Sequence, residues 1–316
     1  MDEILLPGCV NNFCILFIAM NKKTLAQNWF AEGKKYDHLL PNSEHAIEAY
    51  KQSIRNDNNF ADAYVNLGFI YLARNDYDEA LKYFQKVTTL EPDNAETFNN
   101  LGYVYEKMSR LGSAKQMYEK ALKINPENIE AIINIAKIFE LEGNYKGAVD
   151  QYKKAIDCNP GAISPRFCLA VLYDTHDMFD EAIKEYEIVL ERDPNYVKAL
   201  FNLGSLYAQL GDCRETIRLL KRALDMNPHE VTILNKLGEM YLSVSNYSAA
   251  EEILKQSIAL NPFQEEVHMS LTQAQYAQYR LNPEASKKEE IRRRIHFVLT
   301  MNSDNKTCQE ILNALE

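Results

Sequence analysis

Proline stands at positions 92, 126, 160, 194, 228 and 262, each 34 residues after the last. Other residue types keep the same beat. Leu67-Gly68, Leu101-Gly102, Ile135-Ala136, Leu169-Ala170, Leu203-Gly204 and Leu237-Gly238 recur at this interval, as do Tyr71, Tyr105, Phe139, Tyr173, Tyr207 and Tyr241. Ala80, Ala114, Ala148, Ala182 and Ala250 form a third series, in which Thr216 is the exception. A period of this length held over residues 61–264 restricts the chain to stacked copies of one supersecondary unit, because no single copy can bury its apolar face alone.

Within a copy, two stretches have helical period, for example Tyr64, Leu67, Gly68 and Tyr71, then Ala80, Leu81 and Phe84. Polar residues separate them, so each copy predicts a hairpin of two amphipathic helices. Asn75-Asp76, Asn144, Asp177, Asp212 and Asn246 stand where the second helix must start, and their side-chain oxygens are expected to accept from its unpaired amides. Proline then closes the copy, because the residue before it is driven out of helical geometry. Glycine inside a helix costs about 1 kcal/mol relative to alanine. Gly68, Gly102, Gly204 and Gly238 are therefore expected at close helix contacts, facing alanine on the adjacent helix.

The pattern of a bulky residue, Leu-Gly, Tyr, Ala, an aromatic residue and Pro at this period resembles the tetratricopeptide-repeat family. The resemblance covers 61–264 as six repeats in unbroken register. A seventh precedes them over 26–60, with Trp29, Gly33, Tyr36, Ala46 and Tyr50 in matching roles and one residue inserted in its turn around Leu40-Pro41. The family implies an all-α fold, a right-handed superhelical solenoid of antiparallel helix hairpins. Residues 1–25 are left as an N-terminal apolar segment, and 265–316 as a divergent repeat with capping helices. In that last region Leu271 and Tyr276 open a hairpin that Leu281-Asn282-Pro283 interrupts, and a helix with Ile291, Ile295, Val298 and Leu299 on one face follows. Thr307 and Glu310 predict a capping box for a final helix.

Apolar residues make up 46% of the 316, enough for a large core. The 35 basic and 45 acidic side chains give a net charge of -10, which repels phosphate backbones, so nucleic acid is not an expected partner. Six cysteines without a CxxC pair or a His at zinc-finger spacing imply neither a disulfide framework nor a structural metal, and fit a reducing cytoplasm. The apolar run from Cys9 to Met20 is too short to span a bilayer. Asp2 and Glu3 before it and Lys22 and Lys23 after it are the wrong flanks for a secretory signal. Leu6-Pro7-Gly8-Cys9 has a faint look of a lipoprotein cleavage box, but a start assigned upstream of Met20, or a hydrophobic flap on the first repeat, is the preferred reading.

In the family, the first helix of each repeat lines the concave face through its second, fifth, sixth, ninth, twelfth and thirteenth positions. Counted from Ala61, the sixth position holds Asn66, Asn100, Asn134, Cys168, Asn202 and Lys236. Asparagine is a mediocre helix former, and its amide carries the acceptor and donors that match an extended peptide backbone. The series resembles the asparagine ladder in the superhelical repeats of O-linked N-acetylglucosamine transferase, which implies peptide binding. The alternative is that these amides bond the neighbouring helix or reflect the ancestry of the repeat. Val65, Phe69, Tyr103, Ile133, Phe167, Val171 and Phe201, at the fifth and ninth positions, are candidates to pocket apolar ligand side chains, or else are partly buried between helices.

Co-chaperone relatives grip acidic tails with lysine and arginine, yet the fifth positions here hold no basic residue. The face carries seven acids (Asp62, Glu96, Glu106, Glu130, Glu140, Asp174, Glu239) against four lysines (Lys107, Lys137, Lys198, Lys236). A neutral to basic, partly apolar peptide is the expected ligand. The one basic run, Lys287-Lys288 with Arg292 to Arg294, is interleaved with Glu289 and Glu290, which predicts i,i+4 pairs on a solvated helix face. No GxxxxGK, GxGxxG, GxSxG or HExxH occurs, and the histidines are isolated, so neither catalysis nor a cofactor is expected. The function implied is a protein-binding scaffold or adaptor. A targeting subunit for a separately encoded enzyme, such as a glycosyltransferase, and a self-assembling homo-oligomer are the rival readings.

Overall fold

A computed structural model describes the backbone of residues 10–39 and 43–315, with side chains from residue 21 onward. The Leu6–Cys9 segment, the thiol of Cys14 and the turn insertion around Leu40-Pro41 lie outside the described residues. Every regular element among the described residues is a helix. The chain divides into two compact units, residues 1–160 and 161–316.

The first unit holds α1 (Val10–Leu39) with α2 (Glu44–Asn56), α3 (Ala61–Ala73) with α4 (Tyr77–Leu90), α5 (Ala95–Lys107) with α6 (Leu111–Ile124), and α7 (Ile129–Leu141) with α8 (Tyr145–Cys158). The second holds α9 (Ile163–Asp174) with α10 (Phe179–Arg192), α11 (Val197–Gln209) with α12 (Cys213–Met226), and α13 (Val231–Ser243) with α14 (Tyr247–Leu260). It continues with α15 (Glu265–Leu281), α16 (Ala285–Met301) and α17 (Lys306–Ala314). In each unit successive hairpins stack, which is the tetratricopeptide solenoid arrangement the repeat implied. The first helix is longer than its repeat: α1 runs unbroken from Val10 through Ala26. No helix among the described residues is long and apolar enough to cross a membrane.

The periodic prolines act as expected. Glu91, Asn125, Asn159, Asp193, Asn227 and Asn261, each just before a proline, take φ between -128° and -140° and end the second helix. The turn inside each hairpin follows a rule of its own. The amides of Asp76, Arg110, Asn144, Met178, Asp212 and Asn246 donate to the carbonyls of Tyr71, Tyr105, Phe139, Tyr173, Tyr207 and Tyr241 at 2.8–3.0 Å. The residue before each donor is left-handed: Asn75, Ser109, Gly143, Asp177, Gly211 and Ser245 have φ of 58–81°. This Schellman closure satisfies the orphan carbonyls of the first helix at every repeat.

That geometry corrects one expected cap. Asp76, Asn144, Asp212 and Asn246 do accept from the amides of Glu79, Gly147, Glu215 and Ala249. Asp177 does not, because it occupies the left-handed position; Met178 stands at the cap and has no oxygen to offer.

The glycines also face something other than the expected alanine. A Cβ on Gly102 would lie 2.5 Å from the Tyr118 ring, on Gly68 2.7 Å from Phe84, and on Gly33 2.6 Å from Tyr50. Gly238 is covered in the same way by Leu254. The missing side chain makes room for the large residue near the middle of the partner helix, and Tyr50, Phe84, Tyr118, Tyr152 and Tyr186 are all essentially sealed from solvent. Gly204 is looser, its nearest neighbours, Leu219 and Leu220, lying at 3.4 Å.

In the second unit Ile291, Ile295 and Val298 of α16 close over Cys308, Ile311 and Leu315. A polar junction ties α14, α15 and α16 together: the Gln275 amide donates to Glu251 (3.0 Å) and Glu290 (2.8 Å) and accepts from Arg294 Nε (3.2 Å). The expected capping box is absent. α17 starts at Lys306, one residue before Thr307, and Asn305 supplies the cap by accepting from the Cys308 amide at 3.1 Å. Of the two expected i,i+4 pairs, Glu290 and Arg294 meet at 3.2 Å, whereas Arg293 donates to the Glu289 backbone carbonyl instead of its carboxylate.

Two comparisons test this packing. Gly102→Ala must displace a buried ring and should destabilise by about 1–3 kcal/mol, while Gly204→Ala should be neutral or stabilising by up to about 1 kcal/mol. Equal urea midpoints for the two would contradict the packing. Ser109→Gly should raise stability and Gly211→Ala lower it, each by about 1 kcal/mol, since a Cβ at Gly211 meets nothing within 4 Å and only its φ of 81° is at stake.

Candidate functional site

In the first unit the sequence candidates fall on the leading helices α3, α5 and α7. Val65, Asn66, Asn100 and Asn134 are partly exposed, Lys137 is exposed, and Phe69 and Tyr103 are 43% and 37% exposed despite their size. Ile133 is buried and presents nothing to a ligand. In the second unit Phe167 and Val171 lie on α9 and Phe201 and Asn202 on α11, all partly exposed. Phe167 is committed to packing, with ring centroids 6.0 Å from Tyr186 and 5.2 Å from Tyr196.

The leading helices also carry a series of carboxylates, which the sealed tyrosines of the second helices reach from below. Tyr118 donates to Glu106 at 3.0 Å, Tyr152 to Glu140, and Tyr186 to Asp174 at 3.5 Å. Burial, reinforced by the neighbouring carboxylate, drives the Tyr118 hydroxyl far above its usual pKa. Burial also raises Asp174, against the opposing effect of the Tyr186 hydrogen bond. These pairs stand 12 residues apart in their repeat, and elsewhere both members change together: Leu72 with Phe84, Ala208 with Leu220, and Leu242 with Leu254. A phenol hydroxyl sealed beneath the face needs an acceptor, and a carboxylate beside an apolar ring gains no donor.

The same hydroxyls engage the sixth-position asparagines of the following repeat. Asn202 Nδ2 donates to Tyr186 at 3.2 Å, and Asn66 bonds the Tyr50 hydroxyl. Asn134 turns to Asn99 instead, donating at 3.1 Å. Bonding to neighbouring helices therefore holds at three of the four positions, yet each of these amides spends one N–H and keeps its carbonyl and second N–H. Asn100 differs: the residue beneath it is Phe84, which has no hydroxyl, and its side chain makes no hydrogen bond among the described residues.

Phe69 and Tyr103 line one pocket of about 550 Å³ with Ile70, Leu72, Lys107 and Asp37. Asp37 and Leu72 were not among the sequence candidates. The paired substitution at 12 residues' separation was the signal that could have found Leu72; Asp37 stands 13 residues before Tyr50, because of the residue inserted in that turn. Lys107 Nζ sits 4.9 Å over the Tyr103 ring. No group of three or more His, Cys, Asp or Glu side chains is poised to hold a metal ion among the described residues.

No curated protein matches the chain significantly by sequence. Family models described as tetratricopeptide repeats match residues 59–127, 99–163 and 207–274, and one described as a TPR repeat matches 178–211. Among solved structures, yeast Tom70 is similar at 22% identity and a TM-score of 0.62, over 86% of this chain and 58% of that one. Pseudomonas aeruginosa pilF is similar at 16% identity and a TM-score of 0.56, over 71% of this chain and 99% of that one. A tetratricopeptide repeat protein from Parabacteroides merdae is similar at 17% identity and a TM-score of 0.52, over 81% and 98%. At these identities the likeness is one of fold, and none of the matching family models is catalytic. With period, hairpin geometry and four family models in agreement, the chain is built of tetratricopeptide repeats, modules of protein–protein interaction.

Proposed function

We propose that the protein is a non-enzymatic scaffold that holds an extended peptide segment of a partner against its leading helices. The observation that carries this reading is the state of the sixth-position amides. Asn66, Asn100, Asn134 and Asn202 are all partly exposed, and each keeps the acceptor and donor needed to pair with one peptide unit. The internal bonds orient three of them, which lowers the entropy lost on binding. Contacts of this kind grip backbone, so sequence preference falls to the pockets between them.

The partner is a neutral to basic, partly apolar segment. Glu106, held by Tyr118 one helical turn from the exposed Tyr103 ring, and Glu140, held by Tyr152, present fixed negative charge. Among the described residues no disulfide joins Cys158, Cys168, Cys213 or Cys308, which accords with work in a reducing cytoplasm.

A peptide selected against the full chain from a random library displayed on phage provides the test. Asn100→Ala combined with Asn134→Ala should weaken its binding about tenfold by fluorescence anisotropy, at about 0.5–1.5 kcal/mol per lost bond. The melting temperature should stay close to wild type. Unchanged affinity in the double variant would sink the proposal.

A further inference from the structure

We infer that the pocket between α3 and α5 is the anchor point of the bound peptide and takes one bulky apolar side chain, with the adjacent peptide unit paired to Asn100. The inference rests on the peptide-holding reading and narrows it to one place and one side-chain class.

The second repeat differs from its flanking repeats in the first unit in one linked way. Where those flanking repeats set a tyrosine beneath a carboxylate, as Tyr118 beneath Glu106, it sets Phe84 beneath Leu72. One exchange has three effects on the face above. The carboxylate is gone from this position of the leading helix, and Leu72 lines the pocket in its place, leaving Asp37 of the preceding repeat as the one acid among the described residues of the lining. With no hydroxyl below, the Asn100 amide has no hydrogen-bond partner among the described residues and keeps its capacity for a ligand. Phe84 also holds Phe69 edge-on at 5.3 Å, so that ring stands fixed with 43% of its surface in solvent.

The chemistry of the rim selects the occupant. The polar groups of the rim are already engaged: Tyr77 donates to Asn75 Oδ1 at 2.9 Å, the Lys107 ammonium lies on the Tyr103 ring, and Asp37 has a partner of its own. What stays exposed is mainly ring and aliphatic carbon from Phe69, Tyr103 and Leu72. Fixed aromatic rings around a recess are the setting in which one side chain carries much of a binding energy. Leucine, isoleucine, methionine or phenylalanine satisfies such a recess; an acidic side chain would meet Asp37 and lose water there without gaining a partner.

The test uses peptides selected from a random dodecamer library on phage against the full chain. They should share one such apolar residue, and its replacement by alanine should cost about tenfold in affinity against the wild-type protein. The same replacement should cost less than about twofold against Phe69→Ala combined with Tyr103→Ala, because the pocket is already lost. A second variant avoids truncation: Leu72→Glu with Phe84→Tyr installs the pair found at Glu106 and Tyr118, should fold, and should likewise erase the preference. Peptides that depend on Asn100 and Asn134 but ignore both pocket variants would overturn the anchor and leave the peptide-holding face standing. Indifference to every one of these substitutions would overturn both. Concentration-dependent dimerisation in light scattering that the pocket variants abolish would show that a second copy occupies the pocket, and would overturn the inference.

Discussion

Each hairpin of this protein is organised around the contact of a glycine or small residue on its leading helix with a large side chain on its returning helix. Tyr118 lies over Gly102, Phe84 over Gly68 and Tyr50 over Gly33, with no room for a Cβ between them. The contact sets how closely the two helices approach, and through that the line along which the next hairpin packs. Alanines such as Ala80, Ala114 and Ala148, buried to zero exposure, let the backbones come near; the rings fill what remains. Proline and the left-handed turn residue end the helices at fixed lengths, so the contact recurs at the same height in every copy.

Because the ring passes beneath the leading helix, its tip comes up close to that helix's exposed face. A tyrosine there places a hydroxyl where it bonds a carboxylate of its own repeat and, in the second unit, an asparagine of the next. Core and face are thereby coupled: a choice made at a sealed position decides whether the surface above is acidic with oriented amides or apolar with a free one. Only direct bonds link these groups, so the coupling is local to adjacent repeats.

The period of 34 residues disclosed the hairpins, the helix ends at proline and the glycine positions of close helix contact, though not the large side chain that fills each contact, since backbone geometry admits few residue types at the glycine and leaves the partner open. The hairpin turn was harder to see. Its left-handed position accepts Asn, Ser, Gly and Asp, so no one letter repeats there, and Asp177 was assigned to the cap one residue away. Thr307 and Glu310 matched a capping pattern that Asn305, two residues earlier, satisfies better. On the face, spacing identified the asparagines but could not tell that Tyr50 and Tyr186 lie within bonding distance of two of them, because that depends on how far a ring reaches from the adjacent repeat. The pairing of Leu72 with Phe84 was present in the letters, yet it acquires meaning only once the two positions are known to touch the same space.

Phenylalanine and tyrosine fill the same volume and differ by one oxygen at the far end of the ring. The body of the side chain maintains the architecture, while the tip adjusts surface chemistry, so the lineage of such a protein can explore new ligands without jeopardising its fold. Asn100 already stands where a hydroxyl at position 84 would emerge, which makes the step from an apolar patch to a polar one short in either direction. Repeats of this design can diverge individually in what they recognise while remaining interchangeable as building blocks.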